Sequence, residues 1–275
     1  MKAAQVSLRR LISKSAIRRW REISFSVEIS IGACMRRIAL SLILLSVASI
    51  NVMAQGAATF HVFPQIADGF AGSTAYLSSL AATNVSSQAA TCTFTLRGGV
   101  SGRISSPTFT LAASGGLGLL NTVVAEGTIL PLATGYAPLS CTQPVAAFVG
   151  YTLYSSLGTV LAGATVFSSP PATRSELLVL QTAGYRTAFA IANDTDSPGQ
   201  YQITVLNLSG QQVAAANVSV PARLNVAKFV DELVTLPPSF TGSAFITSAS
   251  GSFSVVGLLF NGSVFTSTPA VNFAP

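Results

Sequence analysis

Histidine occurs once in the 275 residues, at His61, and tryptophan once, at Trp20. A hydrolytic triad needs a base beside its nucleophile, and no Gly-x-Ser-x-Gly turn presents a serine for that role. Zinc needs several cysteine or histidine ligands, which one histidine and the single cysteine pair after residue 54 do not supply. His61 therefore reads as a polar residue at a strand edge rather than a catalytic base. Charge is also scarce, at 9% Asp, Glu, Lys and Arg. A glycosidase requires two carboxylates a set distance apart in one cleft, and the few acids here are scattered. The expectation is a non-enzyme without a cofactor.

The formal charge of +6 suggests a basic protein, but nine of the fifteen Lys and Arg residues lie at or before Arg37. From residue 55 onward six basic residues (Arg97, Arg103, Arg174, Arg186, Arg223, Lys228) stand against seven acidic ones (Asp68, Glu126, Glu176, Asp194, Asp196, Asp231, Glu232), so that part carries a formal charge of −1. Nucleic-acid binding needs clustered cations to displace counterions from phosphates, and the later residues have no such cluster. Nucleic acid is excluded as a partner.

The early basic residues belong to a leader. Met35-Arg36-Arg37 is a positive start, Ile38–Ser49 (IALSLILLSVAS) an apolar run, and Val52-Met53-Ala54 places small residues before a cleavage point at Ala54–Gln55. This is the pattern of a cleaved secretory signal, expected as a helical segment over residues 35–54. The apolar run is shorter than the roughly 20 residues that span a bilayer. Contact with a membrane is therefore expected only through the leader, if it stays uncleaved. Residues 1–34 precede a complete signal and read either as a start assigned too early or as a long basic extension. Export, to the periplasm, the cell surface or the medium, is the expectation.

Cys34 leaves with the leader, and Cys92 and Cys141 remain as an even pair in an exported chain, where oxidation is allowed. In TCTFTL, Cys92 shares a face with Phe94 and Leu96; in APLSC, Cys141 shares one with Ala137 and Leu139. Both sulfurs point inward, and a disulfide between Cys92 and Cys141 is expected, with two buried free thiols as the alternative.

After the leader the pattern is β throughout. Tyr201, Ile203 and Val205 alternate with Gln202 and Thr204, and Val218 and Val220 alternate with Asn217 and Ser219. Period two with one apolar face describes half-buried strands. Asn261-Gly262 between apolar runs predicts a hairpin, and Ser209-Gly210 a second. The segment Ala227–Val234 (AKFVDELV) is predicted as one or two helical turns. Asn84–Leu96 falls on Asn193–Val205 and Phe109–Ala113 on Val218–Ala222 at one offset of 109 residues; Thr134–Ala137 falls on Thr241–Ala244 at 107. The chain is thus predicted to be all-β: two tandem immunoglobulin-like antiparallel β-sandwiches, at 58–168 and 175–275. Ser168–Thr173, with two prolines, is a stiff linker between them.

His61–Gly69 reads HVFPQIADG, and Asn193-Asp194-Thr195, Pro221-Ala222-Arg223, Thr241-Gly242 and Val255-Val256-Gly257-Leu258 follow. This series resembles the secreted tandem β-sandwich repeat proteins of soil bacteria, of acidobacterial type, whose modules open F-P-Q-x-A-D-G. The likeness runs over nearly all of residues 60–275. The second unit lacks the Phe-Pro-Gln opening, and the first has Ala112 where the second has Pro221. The resemblance implies neither an enzymatic activity nor a defined ligand.

Three features remain as candidate sites. Asp194 and Asp196 flank Thr195 before Ser197-Pro198-Gly199 and could offer oxygens to calcium, although Asn, Asp, Ser, Pro and Gly are also what a turn requires. Tyr136, Tyr151 and Tyr154 are the aromatics that could stack on a sugar. The Asn-x-Ser/Thr sites at Asn84, Asn193, Asn207, Asn217 and Asn261 read as turn and strand-end residues. The expected function is an exported structural or interaction module, its partner a protein or polysaccharide at the cell surface; a carbohydrate-binding protein is the alternative and an unrecognised hydrolase a third reading.

Overall fold

The computed structural model describes residues 56–103, 108–115, 117–121, 130–262 and 264–273. The extension 1–34, the signal segment 35–54 and the junction Ala54–Gln55 lie outside the described residues. Gln55–Pro275 forms one compact unit, and it is all-β, built from antiparallel sheets.

In its first half run β1 (Ala58–Ala71), β2 (Thr74–Asn84), β3 (Ala90–Phe94), β4 (Arg97–Gly98), β5 (Thr108–Leu111), β6 (Leu117–Asn121), β7 (Ala133–Ser155) and β8 (Val160–Phe167). The strand β7 holds this half together. Up to Val145 it pairs with β1, β3 and β4; from Val145 onward it pairs with β2 and β8. One sheet is thereby folded into two leaves, β5-β3-β7-β1 and β6-β2-β7-β8. The second half runs β9 (Arg174–Gln181), β10 (Tyr185–Ala192), β11 (Gly199–Asn207), β12 (Gln212–Val220), β13 (Asn225–Phe229), β14 (Phe240–Ser248), β15 (Ser254–Asn261), β16 (Val264–Thr268) and β17 (Val271–Phe273). Its leaves are β12-β11-β14-β9-β17 and β13-β10-β15-β16. The corner that β7 turns as one strand is here a loop between β14 and β15.

Alternation explains the second core. Tyr201, Ile203 and Val205 of β11 and Val218 and Val220 of β12 point inward onto Leu177, Phe189, Ile246 and Phe253. The hairpins sit where the dipeptides placed them, with Gly210 at φ +75° and Gly262 at φ +61°. The helix expected over Ala227–Val234 is not formed: Asn225–Phe229 is strand, paired with β10, and only Val230–Glu232 makes a single 3₁₀ turn. Pairing with β10 overrides the apolar spacing of Phe229 and Leu233, because an unsatisfied β10 edge would cost more than the local preference offers. Cys92 and Cys141 face each other across β3 and β7 and are joined as a disulfide.

β1 does not alternate. Its nine residues from His61 to Gly69 are all buried. One face, with Phe63 and Ile66, belongs to the core inside the first half. The other lies against the second half, where Val62 meets Tyr136 and Ala192. β10 is covered on both sides in the same way. Phe189 and Ile191 enter the second core, whereas Ala188 and Ala190, with Val256, Leu258 and Phe265, extend the first. The leaf containing β10 and β15 thus covers the side of the first sandwich where β1 and β8 are the edge strands. Hydrogen-bonded ladders divide between the halves, but the core of the first half takes in residues of the second.

Each half also contains a buried asparagine with matching partners. Asn84, fully buried, directs Nδ2 at the carbonyls of Gln88 (2.7 Å), Leu111 (3.5 Å) and Ala112 (3.0 Å), while Oδ1 accepts from the Ser86 amide. Asn193, also fully buried, directs Nδ2 at Ser197 (2.8 Å), Val220 (3.1 Å) and Pro221 (3.2 Å), with Oδ1 accepting from Thr195. Every partner of the second is the partner of the first displaced by 109 residues. Beside each stands a non-glycine residue of positive φ, Ser114 at 56° and Arg223 at 59°. Each asparagine ties the end of one strand (β2 or β10) to the end of the leaf opposite (β5 or β12).

Asn193→Ala and Asn84→Ala leave buried carbonyls without donors, and each is expected to lose about 2–4 kcal/mol in urea denaturation. The exposed Asn217→Ala is expected to stay within about 0.5 kcal/mol of the parent. Replacing Cys92 and Cys141 by serine opens a loop of sequence separation 49. The expected loss in the same assay is about 4 kcal/mol by the chain-entropy relation.

Candidate interaction site at the seam between the halves

The segment that joins the halves is part of the seam rather than a free linker. Ser168 and Ser169 are buried. The Ser169 amide donates to the Val62 carbonyl of β1 (2.7 Å), its hydroxyl accepts from the Val255 amide of β15 (3.0 Å), and Ala172 bridges to Phe253. His61, expected at a strand edge, lies on an edge strand of its leaf but is only 3% exposed, because the second half covers that edge. Its Nε2 lies 2.9 Å from the Val145 carbonyl and 3.2 Å from that of Ala58. Those acceptors place the proton on Nε2, leaving Nδ1 to accept from the Ser168 hydroxyl at 2.9 Å. Burial lowers the His61 pKa, and the two carbonyls oppose that only in part.

The Phe-Pro-Gln-Ile-Ala-Asp-Gly stretch is explained residue by residue. Phe63 fills the first core. The Pro64 carbonyl and the Gln65 side chain both receive Asn225 Nδ2 from the second half, which also reaches the Gly135 carbonyl at 2.9 Å. Ala67 exchanges hydrogen bonds with the Ser78 hydroxyl. Arg103 donates to the Asp68 carbonyl (2.6 Å) and carboxylate (3.3 Å) and to Pro131 (3.0 Å). Desolvation raises the Asp68 pKa despite that arginine. Gly69 has φ +109°, and a Cβ there would stand 2.5 Å from the Pro131 carbonyl oxygen, so only glycine fits.

Asp194 and Asp196 face arginines. Asp194 Oδ1 receives Arg223 Nη1 (2.8 Å) and the Tyr136 hydroxyl (2.8 Å), with Arg97 Nε at 3.3 Å. Asp196 Oδ1 receives Arg223 Nε at 2.8 Å, and that contact holds its carboxyl below the ordinary value. A calcium ion would have to displace Arg97 and Arg223, so these oxygens serve an ion-pair network across the seam. Among the described residues no group of three or more His, Cys, Asp or Glu side chains converges. Asp231 accepts a two-pronged contact from Arg186 (2.8 Å at the closest) and a bond from Gln181. Arg186 in turn lies over the Phe229 ring at 3.7 Å.

The tyrosines do not form a sugar platform. Tyr136 is fully buried and Tyr151 is 4% exposed, because the second half closes over both; only Tyr154 is partly open. Burial, then the Asp194 carboxylate, pushes the Tyr136 phenol well above its ordinary value. Where the leaves of the first half splay, a cavity of about 150 Å³ remains at the seam, bordered by Tyr76, Tyr151, Leu132, Leu258, Phe260 and Phe265. Its walls are mostly apolar, with Gln65, Thr134 and the tyrosine hydroxyls as the polar groups, and carry no carboxylate, histidine, lysine or cysteine. Sequence reasoning missed Arg97, Arg223, Asn225 and Ser168 as seam residues.

No family model matches the chain, and no curated protein matches it. Among solved structures, the apo form of a lectin of Pleurotus ostreatus aligns at 11% identity over 80% of this chain and 80% of its own, with a TM-score of 0.16. That score is too low to indicate a shared fold.

With its pKa lowered from 6.5 in the folded protein, His61 takes up a proton more readily when the chain is unfolded. Its contribution to stability is complete above about pH 6.5 and is lost as pH falls from there toward the folded value. Urea midpoints measured between pH 7.5 and 5.5 are expected to fall with acidification in the parent and to fall less steeply in His61→Gln.

Proposed function

We propose that this chain is an exported, non-catalytic interaction module made of two tandem copies of one sandwich, acting at or outside the cell envelope. The observation that carries export is the disulfide between Cys92 and Cys141, a bond that persists in oxidising compartments, combined with the signal pattern ending at Ala54. Duplication is supported by matched leaf orders, β5-β3-β7-β1 beside β12-β11-β14-β9 and β6-β2-β7-β8 beside β13-β10-β15-β16, and by the paired asparagine networks. The non-catalytic reading is supported by where the ionisable groups are committed. Asp68, Asp194, Asp196 and Asp231 each hold an arginine, and His61 is bonded at both ring nitrogens. A protein so built recognises partners through strand edges or loop ends rather than a reactive cleft.

Expression of the full chain in a bacterial host with a functional export pathway tests the reading. The expected product is an exported protein whose intact mass begins at Gln55 and carries no free thiol. A product kept in the cytoplasm with residues before 55 would contradict it.

A further inference from the structure

β12 is the longest open edge among the described residues. Its nine residues, QVAAANVSV, pair only with β11. The other edges are short or covered. β5 has four residues, β6 five, β17 three, and β13 five with one lysine. β8 and β16 close on each other, Ser267 Oγ donating to the Thr165 carbonyl. Proteins blunt long edges with charges, proline or bulges. β12 has no charge and no proline, and its ladder to β11 is regular from Val220 to Ala214, with a register shift only at the hairpin end.

We propose that β12 pairs antiparallel with β12 of a second copy, about a two-fold axis at Ala216, joining two five-stranded leaves into one sheet. The occupant follows from charge and side-chain size. An isologous contact sets a surface against itself; β12 has no charged residue, so no register of the pair sets like charges opposite each other. Centring on Ala216 places Ala214 opposite Val218 and Gln212 opposite Val220 on the inner face, and Ala215 opposite Asn217 and Val213 opposite Ser219 on the outer face. Inner meets inner, so the half-open Ala214 and Ala216 become covered. Val213, 38% exposed, lies at the margin of the same contact.

Sedimentation of the exported protein with paired variants tests this. Ala215 and Asn217 are exposed and outside every contact described above, so both accept charge without loss of fold, which far-UV circular dichroism verifies. The parent is expected to be dimeric. Ala215→Lys with Asn217→Lys sets lysine opposite lysine and is expected to weaken the dimer at least tenfold. Ala215→Lys with Asn217→Glu sets each new lysine opposite a new glutamate and is expected to restore it. Mixing the double-lysine variant with Ala215→Glu, Asn217→Glu is expected to yield heterodimers. A monomeric parent, or a double-lysine variant that dimerises like the parent, overturns the proposal; a lysine–glutamate variant that stays monomeric overturns this register. A monomer would leave the export reading intact, whereas a retained leader would leave this pairing intact.

Discussion

Covering β1 and β10 on both faces is the constraint on which the rest of the structure depends. A half-buried antiparallel strand alternates apolar and polar residues; these two cannot, because each lies between a core of its own half and the seam. Alanines at 188, 190 and 192 let the outer face of β10 approach the first half closely, while Phe189 and Ile191 fill the second core. Parting the halves would return Val256, Leu258 and Phe265 to water, at roughly 1.5–3 kcal/mol for each large side chain. It would also strand the polar groups that cross the seam: Asn225 under Pro64 and Gln65, Tyr136 on Asp194, and His61 on Ser168.

Within each half a second device fixes the fold. A buried amide that meets three carbonyls locks a strand end to the opposite leaf, and it is exacting because any misplacement leaves buried polar groups unpaired. The residue of positive φ next to it, Ser114 or Arg223, is held in place by the same network. At Arg223 that conformation aims the guanidinium at Asp194 and Asp196. The buried clamp of the second half and the ion pairs of the seam are therefore one connected structure, in which carboxylates suited to a metal are used as anchors.

Period-two patterning made most of the second half legible: β11, β12 and the two Gly hairpins follow from single residues. The cysteines were legible as inward-facing partners and as a disulfide, which the structure forms. What stayed hidden depended on long-range packing. Nothing local to His61, Tyr136 or Tyr151 reveals that a second sandwich covers them, so each reads as an edge or surface residue. Nothing local to Asp194 names Arg97, nearly a hundred residues earlier. The AKFVDELV segment misleads for the same reason, since its pairing with β10 is a tertiary choice that helical spacing cannot anticipate.

The central claim is that the core of the first half takes in residues of the second, so that the two halves stand or fall together. Hydrogen exchange of the exported protein under native conditions tests it most directly, comparing the slowest amides of β3 and of β11. The account predicts that both exchange through one opening of equal free energy, with equal dependence on denaturant. Opening of β3 at a clearly lower free energy than β11, or the reverse, would show two independent domains and contradict it.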